Sequence, residues 1–325
     1  MSETVTYREA VIRALGDELE EDPAVVLIGE DVGAAGGVFK ATVGLHERFG
    51  GRRVRDTPIS EQAIVGAVLG AAVAGLRPVG EIMFADFAGV CYDQIANQLA
   101  KYRFQSGGQC TVPATLRMAG GGSLGFGAQH SQCVENWFLN IPGLKLCVPS
   151  TPADVYTLLR AAIRDDDPVL VFEHKALYGV TGELSNGVAL PIGRAEIVRS
   201  GTDVTVVATQ LMRHRAEQAA EDLEQEGISV ELIDPRTIAP LDGATIVESV
   251  GRTGRLVCVQ EAPGPGSWGE SVISHVARLA FEHLDGQPVL VAADHTPLAY
   301  ARSLEEAAIP RVSRITTAIR HTAST

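Results

Sequence analysis

Short apolar runs alternate with amphipathic segments along this chain of 325 residues. Ala24 to Ile28, Arg77 to Phe84, Thr111 to Met118, Lys145 to Pro149 and Val169 to His174 read as strands. Thr6-Tyr7-Arg8-Glu9 is a capping box, and the periodic stretch after it reads as a helix to about Glu20. Tyr92 to Gln105 reads as a further helix. Ser150 or Thr151 caps another, with Pro152 at its first position. From Leu177 to Leu190 the periodicity fades, and Gly179, Gly182, Gly187 and Pro191 collect there. Beyond it strands recur at 204–209, 229–233, 256–260 and 289–293. Helices are expected near 213–226, 244–250 and 269–282. The pattern predicts an α/β protein of two domains, 1–190 and 191–325, each with a mainly parallel sheet flanked by helices.

One stretch departs from this rhythm. Asp56-Thr57-Pro58-Ile59-Ser60-Glu61 runs into the apolar segment AIVGAVLGAAVAGL. Pro58 disfavours helix just before it, and Ser60 is a good N-cap. Glu61 is therefore expected in the first turn of an almost wholly buried helix. The helix N-terminus favours its ionised form and burial its protonated form. Such an acid suits general acid–base work, and it also suits plain helix capping. Gly66, Gly70 and Gly75 on this helix fit either close packing at a subunit interface or ordinary core packing.

Composition removes several classes. Hydrophobic residues make up 46% and the net charge is -13, which excludes a disordered chain and leaves no basic face for nucleic acid. The basic cluster Arg52, Arg53 and Arg55 reads as a loop. Five cysteines without a CxxC pair give neither a zinc pattern nor a disulfide framework. The N-terminus shows no signal peptide, and the apolar run from Ala63 to Leu76 is too short to span a bilayer. No membrane association and a cytoplasmic location are expected.

Three further features carry possible chemistry. A glycine-rich loop (Gly33, Gly36, Gly37) follows Gly29-Glu30-Asp31. Gly120-Gly121-Gly122-Ser123-Leu124-Gly125 has the letters of GxGxxG, but it opens no amphipathic helix and no strand-end acid follows, so a dinucleotide site is rejected. His130, in Gln129-His130-Ser131-Gln132, has polar neighbours after a flexible loop, which fits a cleft or a structural role. Asp165-Asp166-Asp167-Pro168 fits a solvated turn or a cation site.

These stretches together resemble the β subunit of the thiamine-diphosphate-dependent component of 2-oxo acid dehydrogenase complexes, a transketolase-like family that includes pyruvate, acetoin and branched-chain enzymes. The resemblance rests on GED at Gly29 to Asp31, DTPISE at Asp56 to Glu61, EIMFADF at Glu81 to Phe87 and DQIANQLAKYR at Asp93 to Arg103. It continues with AQHSQ at Ala128 to Gln132, IPGLK at Ile141 to Lys145, AIRDDDPV at Ala162 to Val169 and TGR at Thr253 to Arg255.

The resemblance implies a pyrimidine-binding domain over 1–190 and a transketolase C-terminal-like domain over 191–325. It implies that Glu61 hydrogen-bonds the cofactor's aminopyrimidine ring, with Ile59, Met83 and Phe87 packed beside it. His130 would face the reacting carbon. Potassium would sit on backbone carbonyls at Ala114, Ala162, Ile163, Asp165 and Asp167. No GDG motif is present, so Mg²⁺ and the diphosphate would be held by a separate α subunit in an α₂β₂ assembly. The other partners implied are a lipoyl acyltransferase component and a small 2-oxo acid or acetoin. Met83 and Phe87 lie nearer the pyruvate and acetoin enzymes than the branched-chain ones. The alternatives are a split transketolase-like subunit acting on sugar phosphates and a catalytically silent scaffold.

Overall fold

The computed structural model describes residues 3–184 and 191–324. The expected domain junction at residue 190 lies outside the described residues. The chain forms two compact units. The first is Met1–Gly120 with Trp137–Ile192, and the second is Gly121–Asn136 with Gly193–Thr325.

In the first unit a short strand, β1 (Glu3–Thr6), leads into helix α1 (Tyr7–Glu21), and Thr6 with Glu9 forms the expected capping box. Then follow β2 (Val25–Gly29), α2 (Leu45–Phe49), β3 (Val54–Asp56), α3 (Glu61–Val73) and β4 (Arg77–Ile82). After them come α4 (Tyr102–Gln105), β5 (Thr115–Gly120), β6 (Lys145–Cys147), α5 (Pro152–Arg164), β7 (Val169–His174) and β8 (Thr181–Leu184). The strands are ordered β6-β7-β5-β4-β2-β3, every pair parallel. Buried on both faces, β5 and β7 are covered along their whole length, as a parallel sheet requires. β1 and β8 pair antiparallel beside it.

Helix α5 starts as expected: Thr151 caps it with Asp154 and Pro152 stands at its first position. It packs on α1, where the buried Glu18 carboxylate takes Arg160 at 2.6 Å and Arg164 at 2.7 Å.

Three expectations need correction. Helix α3 is not wholly buried. Ile64, Val65, Val68 and Ala72 turn inward, while Gln62, Ala63, Ala67 and Gly70 are exposed. Ser60 holds the N-cap position but its side chain makes no capping bond. Residues 92–105 are not one helix. A π-turn at Gln94–Leu99, with Ala100 N–H donating to Ile95, breaks them from α4. There the backbone of Gly143 presses on the Ala100 carbonyl, leaving no room for a Cβ.

The second unit contains β9 (Glu196–Arg199), β10 (Val204–Ala208), α6 (Gln210–Glu224), β11 (Val230–Asp234) and β12 (Thr237–Ala239). It continues through α7 (Gly243–Thr253), β13 (Leu256–Pro263), α8 (Trp268–Leu279), β14 (Val289–Ala293), α9 (Arg302–Ala308) and α10 (Val312–Ala323). Its sheet runs β14-β13-β10-β11-β9, parallel except for the edge strand β9. Val206, Leu232 and Val259 from the sheet form a core with Met212 and Ala216 of α6 and Ile315 and Ile319 of α10. No helix among the described residues is long and apolar enough to cross a membrane.

Candidate active site at the carboxyl edge of the first sheet

Strand β2 has β3 on one side and β4 on the other, so the chain reverses direction across the sheet at this strand. In parallel sheets a crevice forms outside the strand ends at such a point. Gly29 is level with Asp56 and with Glu81. The segments leaving these strands therefore share one edge: Glu30 after β2, Thr57 to Glu61 after β3, and Met83 to Phe87 after β4.

Glu61 opens α3 and is 8% exposed. Two titratable neighbours, Glu30 and Cys91, are affected by it. Burial raises the Glu30 carboxyl above its ordinary range, and the charges of Asp31 and Glu61 add to the effect. Burial, with Glu61 as the second cause, pushes the Cys91 thiol up to about 12, which keeps it protonated and unreactive. Ile59, two residues before the acid, is 76% exposed despite its size. The Thr57 hydroxyl is buried and makes no hydrogen bond among the described residues. Met83 and Phe87 are half-buried, and the Phe87 ring meets Phe84 edge-on at 5.5 Å.

The loop that follows Glu30 is fixed by its glycines. Gly33 donates to the Asp56 carboxylate at 2.6 Å, and a Cβ on Gly33 would strike that carboxylate. Beneath the β4 end lies a buried ion cluster that the sequence did not reveal. Arg117 grips both oxygens of Glu173 at 2.7 and 2.8 Å and also contacts Glu81. Tyr178 donates to Glu173 at 2.7 Å. Burial raises the Glu81 pKa and Arg117 opposes it. These carboxylates lie 36 and 56 positions from Arg117, so nothing local announces them.

The Arg53 side chain is spent inside the protein, on the carbonyls of Val25, Leu19 and Asp22. Arg55 lies in β3 rather than a loop. The aspartates after α5 each meet a cation. Lys145 binds both Asp165 oxygens at 2.7 Å, Arg77 meets Asp166 at 2.8 Å and Arg103 meets Asp167 at 2.5 Å. The Ile163 and Asp165 carbonyls both accept from Arg77, at 3.2 and 3.1 Å. The Ala114 and Ala162 carbonyls accept from Val169 and Asp165 N–H groups. A simple solvated turn does not describe this arrangement.

His130 is half-buried in a turn closed by its N–H on the Gly127 carbonyl, and it belongs to the second unit. Residues 121–134 form no helix after β5, so the GxGxxG letters do not build the helix N-terminus that a dinucleotide requires.

Residues 3–181 match the family described as Transketolase, pyrimidine binding domain, and residues 193–315 match Transketolase, C-terminal domain. The β subunit of an acetoin:2,6-dichlorophenolindophenol oxidoreductase from Cupriavidus necator is 45% identical, over 99% of this chain and 98% of that one. A 2-oxoisovalerate dehydrogenase subunit β from Bacillus subtilis is 42% identical, over 98% of each. A pyruvate dehydrogenase E1 component subunit β from Rhizobium meliloti is 43% identical, over 98% of this chain and 69% of that one. The chain belongs to this family of dehydrogenase β subunits. A solved split-gene transketolase, an inactive β₄ tetramer, superimposes with a TM-score of 0.79 over 98% of both chains at 23% identity, which establishes the shared fold. His130 falls inside the residues that match the pyrimidine-binding domain, yet its segment clusters with the second unit.

Proposed function

We propose that this chain is the β subunit of a thiamine-diphosphate enzyme that takes acetoin or a small 2-oxo acid and passes the acyl group to lipoamide. The observation that carries this reading is Glu61, a buried acid in a helix first turn at the sheet's reversal point, on the same sheet edge as Met83, Phe87 and a Thr57 hydroxyl that makes no hydrogen bond among the described residues. That combination fits a flat heterocycle offering a ring nitrogen to the acid and apolar faces to its neighbours. When bound, thiamine diphosphate supplies a carbon nucleophile for the substrate carbonyl. Glu61 would hydrogen-bond the aminopyrimidine ring of that cofactor, and Ile59, Met83 and Phe87 would pack beside it. His130 donates a proton to the substrate oxygen or stabilises its negative charge.

The chain lacks GDG, so Mg²⁺ and the diphosphate fall to an α subunit in an α₂β₂ assembly, and the second unit docks the lipoyl acyltransferase. The exposed small-residue face of α3 supports a subunit contact there. A potassium ion at the carbonyls of Ala114, Ala162, Ile163, Asp165 and Asp167 would share two of them with Arg77, and each carbonyl keeps a second lone pair.

The test is turnover of the chain reconstituted with its α subunit, Mg²⁺ and thiamine diphosphate. Glu61→Gln should lose roughly a hundredfold or more in kcat. Wild-type turnover in that variant would overturn the reading. Acetoin, pyruvate and branched-chain 2-oxo acids as alternative substrates fix the substrate class. Ketol transfer between sugar phosphates without lipoamide would instead support the split-transketolase reading.

A further inference from the structure

Segment 121–136 opens with four glycines among its first seven residues. Its first part alternates: Gly121, Ser123, Gly125 and Gly127 all have positive φ. Two carboxylates of the same unit accept from N–H groups of this stretch. Gly122 N–H donates to Glu261 at 2.5 Å, and Gly125 N–H donates to Glu305 at 2.8 Å. Glu261 is near the end of β13 and Glu305 lies in α9.

Other contacts reinforce this anchoring. Arg215, itself paired with Glu306, donates to the Ser123 hydroxyl at 3.1 Å. The Tyr300 ring lies flat enough against Gly127 that a Cβ there would come within 2.5 Å of it. At the far end, Trp268 N–H donates to the Asn136 side chain at 2.9 Å. His130 lies between these anchors and is half-buried.

Glu305 is the informative member. It is 0% exposed, and its Oε1 makes no hydrogen bond among the described residues. A buried carboxylate that leaves one oxygen unsatisfied costs stability. Its one strong contact is the charge-assisted bond to the glycine loop. Stability of the fold alone would be better served by an apolar residue beside Leu298 and Ile309, which crowd the same Gly122.

We propose that Glu305 and Glu261 are positioning residues that clamp the glycine loop and thereby set the place of His130, so the C-terminal unit governs a group lying within the pyrimidine-domain sequence. The proposal rests on the role given to His130 above. The two carboxylates act through the loop backbone.

The experiment uses the reconstituted complex with thiamine diphosphate and Mg²⁺, and compares Glu305→Gln, Glu261→Gln, His130→Ala and the double variants. Each Gln variant should speed amide exchange in the peptide covering 120–130. Each should also lower kcat by about ten- to a hundredfold, as expected of a misplaced catalytic group, with KM and cofactor affinity within about twofold. In the His130→Ala background neither should lower kcat further. Unchanged loop exchange, or a loss of kcat that multiplies with that of His130→Ala, overturns the proposal. If Glu305→Gln does not fold, Glu261→Gln carries the same comparison. Wild-type turnover in His130→Ala would overturn the role of His130 and the catalytic half of the proposal, and loop exchange would still decide whether the carboxylates form a clamp.

Discussion

Burial pushes the Glu135 carboxyl up to about 7 from an ordinary 4.5, and the nearby Glu261 carboxylate adds to the shift. The folded protein therefore holds this proton more tightly than the unfolded chain. The stabilisation it provides is complete below about pH 4.5 and is lost as pH rises through 7. The gap corresponds to about 3 kcal/mol. Urea unfolding at pH 5 and pH 8 should show the wild type losing stability relative to Glu135→Gln by up to that amount. Parallel pH dependence in the two proteins would remove the assignment. Residues of this kind were not legible in the sequence, because their partners are remote: Glu261 and Glu305 are 139 and 180 positions from the glycines they hold. Glu61 was legible because a proline turn followed by an apolar helix is a local pattern, whereas Ile59 came from resemblance. Met83 and Phe87 were drawn in by resemblance, and the parallel register then placed them on the same edge.

Among the elements, those with their own punctuation were read well. Helix α1 begins at the predicted capping box, α5 begins at one of its two predicted caps, Thr151, and β7 and β14 span the predicted residues. The short pieces were missed. β1, β8 and β9 pair antiparallel at edges, where burial is partial and no continuous apolar run marks them. The turn between α5 and β7 was legible only as a run of aspartates, since the cations that meet it, Arg77, Arg103 and Lys145, come from elsewhere in the chain. This element carries the potassium prediction. An ion bound at a hundred times its Kd stabilises the fold by about 3 kcal/mol. The midpoint of thermal unfolding should then rise by several degrees, at roughly 2–4 °C per kcal/mol, on replacing tetramethylammonium chloride with potassium chloride at equal ionic strength. Equal midpoints in the two salts would remove the ion from the assignment.

At the scale of the whole molecule, helix α3 shows a mismatch between sequence and fold that only an assembly resolves. Its inward face is ordinary core, with Ile64 and Val68 buried. Its outward face is Ala63, Ala67 and Gly70, apolar and exposed, where a chain functioning alone would carry charge. A Cβ on Gly70 would meet nothing within 4 Å, so nothing in this chain requires a glycine at that helical position. Glycine costs a helix roughly 1 kcal/mol relative to alanine. That cost is offset only if a second backbone lies close to the helix in the assembled protein. Gly70→Leu should therefore leave the isolated chain as stable as the wild type or slightly more so. Its association with the α subunit should weaken by tenfold or more, on the order of 1.4 kcal/mol, read by sedimentation velocity across a concentration series. Under the proposed division of the site, cofactor retention should fall in proportion. Wild-type association by Gly70→Leu would place the subunit contact on another face and leave the glycine without a physical account.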